Sequence, residues 1–250
     1  MAGHSKWENI KRRKARVDAQ KGKIFTKLAR EIIVAAKEGG PDLDTNFRLR
    51  LAVQKAKEAN MPNDNINRAI QKGSGEGETL VLEQLYYEGY GPGGVAVLLE
   101  IMTDNRNRTA AEIRHIFSRR DGNMGESGCV AWMFNRKGYL SIDKKEGLPS
   151  EDDLMLLALE AGAEDFKDED NSYVIITAPE NFESIKDKFL EQDLDLATAE
   201  VTMVPTSTIR IEEAEGAAKV LDLLEALEEH DEVQNVYANF DIPEEIMQSL

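Results

Sequence analysis

Apolar residues recur at three- to four-residue spacing between residues 24 and 72, which is the pattern of helices that bury one face. Gly39-Gly40-Pro41 ends the first apolar stripe, and Asn60-Met61-Pro62 ends the second. A third stripe runs from Asn63 to Lys72, with Gly73 as a helix stop. The spacing predicts a bundle of three short helices.

The pattern changes after the glycine-rich stretch Gly73–Glu78, which we interpret as a domain boundary. Two segments, Gln84–Tyr90 and Val95–Met102, predict strands joined by a turn. Thr109-x-x-Glu112 has the pattern of a capping box that begins a helix. The C-terminal part predicts a strand at Thr208–Ile211, a helix at Glu213–Glu229 and a strand at Val233–Phe240.

Between these parts, the chain alternates in the order βαββαβ, which is typical of a ferredoxin-like unit. Its predicted elements are Tyr139–Ile142, Glu151–Ala161, Glu164–Lys167, Tyr173–Thr177, Asn181–Leu190 and Thr198–Val204. The segments before and after this unit each contain too few elements to form a domain. We therefore predict that the two segments fold together as one domain. The predicted fold class is α+β, with an N-terminal three-helix domain and two α/β domains, the ferredoxin-like unit being inserted into a discontinuous α/β domain. The predicted boundaries are 1–75, then 79–134 with 206–250, and 138–205 for the insertion.

Charge is distributed unevenly along the 250 residues. Residues 1–75 hold 17 basic and 8 acidic residues, a net of +9, whereas residues 76–250 hold 14 basic and 39 acidic, a net of −25. A basic segment joined to an acidic body is typical of a nucleic-acid-binding arm. The overall charge of −16 conceals this asymmetry.

The first thirty residues carry the main candidates for nucleic-acid contact. Apolar residues are sparse from Ser5 to Lys23, so this arm cannot build a core of its own. Lysine and arginine contact phosphate as a point charge and as a bidentate fork, and Trp7 can stack on an unpaired base or pack on the bundle. A solvated basic tail is the alternative. The candidates are His4, Lys6, Trp7, Lys11, Arg12, Arg13, Lys14, Arg16, Lys21, Lys23, Lys27 and Arg30.

A second basic cluster contains Arg106 and Arg108, between a predicted strand and a predicted helix. Backbone N–H groups at such a junction favour phosphate, so both arginines are further candidates. The alternative is that Asp104, Asn105 and Asn107 are ordinary turn and capping residues.

The chain shows no catalytic or metal-binding pattern, and we predict no enzyme activity, cofactor or metal. Gly89-x-Gly91-x-x-Gly94 matches the dinucleotide fingerprint, but the residues after it predict a strand instead of the required helix. The longest apolar runs are six residues, so no membrane partner is expected. A single cysteine, Cys129, fits a reducing cytoplasm, where we expect the protein.

Several long motifs resemble the YebC/PmpR family. The motifs are Met1-Ala-Gly-His-Ser-Lys-Trp, the run Lys14–Phe25, Ala59-Asn-Met-Pro, Tyr87-Glu-Gly-Tyr-Gly-Pro-Gly-Gly, Thr103-Asp-Asn-Arg-Asn-Arg-Thr and Val233-Gln-Asn-Val-Tyr-Ala-Asn-Phe. The resemblance implies a helical N-terminal domain followed by two α/β domains, one inserted in the other. Because the sequence starts at the family's N-terminal motif, we expect a bacterial cytoplasmic member.

The resemblance implies a regulator of gene expression, with nucleic acid, as DNA or rRNA, for a partner. Members of the family are described as DNA-binding transcriptional regulators. Others, including the mitochondrial translational activator of cytochrome c oxidase, act in translation, and bacterial relatives are linked to ribosomes stalled at proline-rich stretches. The sequence leaves three alternatives: a DNA-binding regulator, a ribosome- or rRNA-binding factor, and an enzyme with an unrecognised inter-domain cleft. It leaves the oligomeric state open.

Overall fold

The structure is a computed structural model that describes residues 19–75, 82–169 and 171–247. Contacts between Cα atoms divide these residues into two compact units. The first unit contains 19–75, 82–129 and 218–236, and the second contains 130–169, 171–217 and 237–247. In the described part, no helix is both long enough and apolar enough to cross a bilayer.

The first unit begins with the three predicted helices, α1 (Ala19–Gly39), α2 (Phe47–Glu58) and α3 (Asn63–Gly73). The Asn46 side chain caps α2 by accepting a hydrogen bond from the backbone N–H of Leu49. The helices pack around a common core that includes Ile32, Leu49, Ala56, Ile66, Leu82 and Met102. Since the last two residues lie beyond α3, the helices share their core with the sheet that follows.

That sheet contains β1 (Glu83–Tyr90), β2 (Ala96–Thr103), β3 (Asn123–Met124) and β9 (Val233–Ala238), in the order β3-β1-β2-β9. β1 and β2 are antiparallel neighbours, and a short 3-10 turn at Pro92–Gly94 joins them. The glycine-rich motif is therefore a hairpin turn. The structure confirms the rejection of the dinucleotide fingerprint.

Helix α4 (Arg106–Arg119) begins four residues earlier than the predicted capping box places it. The proposed capping box at Thr109 was wrong, because the Asn105 side chain caps the helix and accepts the backbone N–H of Arg108 at 3.1 Å. Thr109 is buried inside the first turn instead. Helix α7 (Ala214–Glu228) contributes its C-terminal part to the same unit.

The second unit contains the ferredoxin-like sheet, which consists of β4 (Phe134–Asp143), β5 (Asp165–Asp168), β6 (Ser172–Thr177) and β7 (Thr198–Pro205). These strands are hydrogen-bonded in the order β5-β6-β4-β7. Its core includes Leu140, Leu154, Ile175, Ile185 and Phe189. The two helices of this βαββαβ unit are α5 (Glu151–Ala161), between β4 and β5, and α6 (Phe182–Leu190), between β6 and β7. Neighbouring strands are antiparallel throughout, and the predicted fold class is confirmed.

The predicted strand Val233–Phe240 is two strands, and this prediction was wrong. β9 ends at Ala238, and β10 (Phe240–Asp241) pairs in parallel with β8 (Ile209–Arg210) in a separate two-stranded sheet. Between them the buried Asn239 offers its carbonyl to the backbone N–H of Ile209 at 2.7 Å. The break redirects the chain from one sheet to another, and helix α8 (Glu244–Met247) follows.

Candidate nucleic-acid interface

The predicted site residues divide into those whose side chains the structure describes and those it does not. Residues 1–18 lie outside the described residues, and of Lys21 only the backbone, within α1, is described. Outside the described side chains are therefore His4, Lys6, Trp7, Lys11, Arg12, Arg13, Lys14, Arg16 and Lys21. The described candidates are Lys23, Lys27, Arg30, Arg106 and Arg108.

The three described candidate residues of α1 contact the carboxyl end of α7 and the turn that follows it. Lys27 Nζ donates to the carbonyl oxygen of Glu228 at 2.8 Å, and Lys23 Nζ donates to the next carbonyl at 3.3 Å. The Arg30 guanidinium donates to the carbonyl of Asp231. Positions 23, 27 and 30 share one face of a helix, so α1 presents all three together.

This contact is electrostatically favourable because a helix ends with unpaired carbonyls and a partial negative charge. The end of α7 also carries the acidic residues Glu225, Glu228 and Glu229, which are unfavourable at this end of a helix. The α1 cations offset both charges and satisfy the carbonyls. The face of α1 that the sequence assigns to phosphate therefore holds two helices of the first unit together.

Arg108 belongs to a second intramolecular network. Its Nη2 atom donates to Asp104 Oδ1 at 2.8 Å and pairs with the buried carboxylate of Glu232. Thr109 Oγ1 donates to the same carboxylate and lies 2.8 Å from Thr103 Oγ1. Hydrogen bonds to Asp104 and then to Glu232 raise the pKa of the Arg108 guanidinium. The guanidinium neutralises a carboxylate that is only 7% exposed.

Arg106 is more open to an external ligand than Arg108. Its side chain is 66% exposed, and its one described ion pair, to Glu83, is long at 3.7 Å. Its backbone carbonyl accepts the hydroxyl of Tyr87 at 2.9 Å, which fixes the first turn of α4. Burial raises the pKa of that hydroxyl, so Tyr87 remains a neutral donor at ordinary pH.

The fold brings together a group of potential metal ligands that the sequence does not suggest. Glu112, His230 and Glu232 place one ligand atom each within 4.8 Å of one another. His230 Nδ1 accepts the backbone N–H of Glu232 at 3.2 Å, so its proton lies on Nε2, which is 2.9 Å from Glu112. The imidazole therefore directs an N–H, and no lone pair, at the carboxylate. The cluster is a hydrogen-bond network in this arrangement.

Other cations of the first unit are exposed to solvent. Within the described part of the chain, their side chains form no hydrogen bond or ion pair. These cations are Lys55, Lys57, Arg68, Lys72, Arg114 and Arg119. Arg68 and Lys72 are one turn apart and face away from buried Ile66 and Ala69. Their spacing could have indicated this surface from the sequence, because it is opposite in phase to the apolar stripe.

Comparisons with known proteins identify the chain along nearly its whole length. Residues 5–76 match the TACO1/YebC protein N-terminal domain, and residues 82–240 match the TACO1/YebC second and third domain. A relative from Natranaerobius thermophilus is 60% identical over 250 residues and all of both chains. One from Pelotomaculum thermopropionicum is 60% identical over 97% of this chain and 99% of its own. Both carry the name "Probable transcriptional regulatory protein" and neither is named as an enzyme.

A solved structure agrees with the sequence relatives. The crystal structure of a conserved hypothetical protein from Aquifex aeolicus matches with a TM-score of 0.80 and 51% sequence identity. The match covers 94% of this chain and 96% of the other. The family boundary between residues 76 and 82 falls where the charge and the hydrophobic pattern of the sequence change. The protein belongs to the TACO1/YebC family.

Proposed function

We propose that this protein is a nucleic-acid-binding regulator of gene expression, and that it binds DNA through its basic N-terminal segment to control transcription. The observation that carries the proposal is the charge distribution, +9 over residues 1–75 against −25 over residues 76–250. Phosphate neutralisation supplies most of the affinity of such proteins for nucleic acid. The names of the two relatives, as transcriptional regulators, support the same function.

The described contacts refine which cations carry this role. Carbonyls of the first unit accept hydrogen bonds from Lys23, Lys27 and Arg30. These three side chains therefore have fewer N–H groups available to bind phosphate. The basic residues of the arm and the exposed cations Arg68 and Lys72 are left as the principal phosphate contacts. Phosphate repels the acidic remainder of the chain, so we expect it to contribute no phosphate contacts.

A ribosome- or rRNA-binding translation factor that relieves stalls at proline-rich stretches is the second candidate. The charge of −25 outside the N-terminal segment favours it, because an acidic body is repelled along a long duplex. Folded RNA also offers unpaired bases on which Trp7 can stack. Both candidates use the same cations, so the choice of ligand distinguishes them.

Reversal of charge in the arm tests the role of the N-terminal segment. The variant Arg12→Glu/Arg13→Glu should lose at least tenfold in affinity for a fluorescent duplex DNA in anisotropy titrations. The control, Lys145→Glu/Lys188→Glu, makes the same change in net charge on the second unit and should bind as the wild type does. Equal losses in both variants would show that net charge alone matters and would contradict a binding site in the arm.

Co-sedimentation with purified ribosomes at near-physiological salt distinguishes the two ligands. If the protein regulates through DNA, excess duplex DNA removes it from the ribosome pellet. If binding needs Arg12 and Arg13 and persists with excess DNA, the translation factor replaces the DNA-binding regulator. The same variants serve both experiments. A loss of binding in both would confirm that the arm is the binding site, whether the ligand is DNA or the ribosome.

A further inference from the structure

Helix α5 (Glu151–Ala161) of the second unit is apolar on both of its faces. One face is buried against the ferredoxin-like core through Leu154 and Ala158. On the opposite face, Met155, Leu156 and Leu159 are 40%, 54% and 60% exposed. An exposed apolar stripe opposite a buried one is typical of a helix that is covered on both sides. The described structure covers only one side of α5.

The three exposed side chains form one continuous stripe. Residues 155 and 159 are one turn apart, and residues 156 and 159 are neighbours at three-residue spacing. Single exposed leucines are ordinary on protein surfaces, but contiguous apolar patches mark interaction sites. The stripe extends over a little more than one helical turn, so it offers a docked helix a short contact made by three side chains.

Every charged side chain of α5 itself is acidic. α5 contains Glu151, Asp152, Asp153 and Glu160 and no basic residue. Two neighbouring cations offset part of this charge: Lys188 donates to the backbone carbonyl of Glu160 at 3.4 Å, and Lys144 interacts electrostatically with Glu151. Four carboxylates against two cations leave an excess of negative charge along the helix. An acidic rim around an apolar stripe is complementary to a partner with an apolar stripe and basic flanks.

We propose that this outer face of α5 docks a basic amphipathic helix of a partner protein. Leu156 and Leu159 pack against the apolar face of that helix, while Asp152 and Glu160 pair with its lysines or arginines. A second copy of this chain fits less well, because two such faces would oppose like charges at both ends of the stripe. The surface is also far smaller than the roughly 800 Å² per partner of a stable interface, which suits a single helix in a larger assembly.

A synthetic leucine–lysine peptide of about 15 residues, with leucines at helical spacing, tests the proposal as a labelled probe in anisotropy titrations. We expect full-length protein to bind it, and Leu156→Gln/Leu159→Gln to weaken binding at least tenfold. Glutamine favours helices and these positions face solvent, so thermal melting should change little. Leu190→Gln, at a leucine 48% exposed at the end of α6, is the matched control and should bind normally.

Two further peptides separate the proposed contact from general attraction to an acidic protein. A scrambled peptide of the same composition, and one with glutamate in place of lysine, should both bind at least tenfold more weakly. Asp152→Asn/Glu160→Gln should reduce the salt dependence of binding. Equal binding of the scrambled peptide, or unchanged binding by the leucine variant, would overturn the proposal. A concentration-dependent dimer in analytical ultracentrifugation that Leu156→Gln/Leu159→Gln abolishes would assign the face to a second copy.

Discussion

At the residue scale, one side chain fixes the connection between α1 and α2. Asn46 Oδ1 accepts the backbone N–H of Leu49, while Nδ2 donates to the carbonyls of Ala35 and Gly40 at 2.7 and 2.8 Å. The side chain is buried, so water cannot replace these bonds. A Cβ at Gly39 would approach this amide within 2.6 Å, so the glycine makes room for it.

Substitution of Asn46 separates its capping role from its contacts with the carbonyls. Asn46→Ala should lower the free energy of unfolding by about 2–4 kcal/mol, because a cap and two buried carbonyls lose their partners. Asn46→Asp keeps the capping oxygen but opposes two carbonyls, so it should remain about 2 kcal/mol below wild type. Urea denaturation measures both variants, with exposed Asn65→Ala as the control. A fully stable Asn46→Asp would show that the carbonyl contacts contribute nothing.

A second prediction concerns the single cysteine. Burial, followed by the charge of buried Glu88, raises the pKa of the Cys129 thiol. The folded thiol holds its proton more tightly than the unfolded one. The resulting stabilisation is therefore present below the unfolded pKa and is lost as pH rises through the folded pKa.

Removal of the Glu88 charge should lower the pKa of Cys129 towards its ordinary value. Glu88→Gln keeps an oxygen to accept the backbone N–H of Gly128, which lies 2.6 Å from the carboxylate. Iodoacetamide should then alkylate Cys129 faster at pH 8, with the rate profile displaced to lower pH. Glu83→Gln, exposed on the same strand, is the control. An unchanged rate profile in Glu88→Gln would leave burial as the whole cause.

At the element scale, helix ends with local signals could be predicted, and pairings over long distances could not. Gly39-Gly40-Pro41 and the turn before α3 mark the ends of α1 and α2 within the sequence itself. The start of α4 was misplaced because two capping patterns, Asn105 and Thr109, compete and only tertiary contacts bury the second. The β8–β10 pair, likewise, exists only once distant segments meet.

The contact of α1 with α7 is such a long-range pairing, and it changes the role expected for α1. Lys27→Gln should lower the free energy of unfolding by about 0.5–1.5 kcal/mol, because it removes a cation from a helix C-terminus. Lys72→Gln, exposed on α3, should change stability by less than about 0.5 kcal/mol. We expect Lys72→Gln to weaken nucleic-acid binding more than Lys27→Gln does. Denaturation and anisotropy titrations measure the two quantities. Equal stability of both variants would contradict a structural role for Lys27.

At the scale of the whole molecule, the charge asymmetry could be predicted from the sequence. Which cations bind carbonyls of the protein itself, and which stay exposed, could not be predicted. Lys23 and Lys27 are about 200 positions from the carbonyls they bind, so no local pattern indicates that contact. The Glu112–His230–Glu232 cluster is hidden for the same reason. The sequence therefore locates the basic segment, and the structure shows which of its described cations donate hydrogen bonds to the protein itself.

The salt dependence of nucleic-acid binding tests which cations contact phosphate and which contact the protein itself. If about five arm and surface cations contact phosphate, log K should fall with log salt with a slope of about −4.5 on duplex DNA and about −3.5 on single strands. Arg12→Glu/Arg13→Glu should make the slope shallower by about 2 on duplex, whereas Lys27→Gln should change it by less than about 0.5, because Lys27 is held on α7. Anisotropy titrations between 50 and 300 mM salt give these slopes. A flat profile would contradict electrostatic binding, and a full unit lost in Lys27→Gln would return α1 to the phosphate-binding surface.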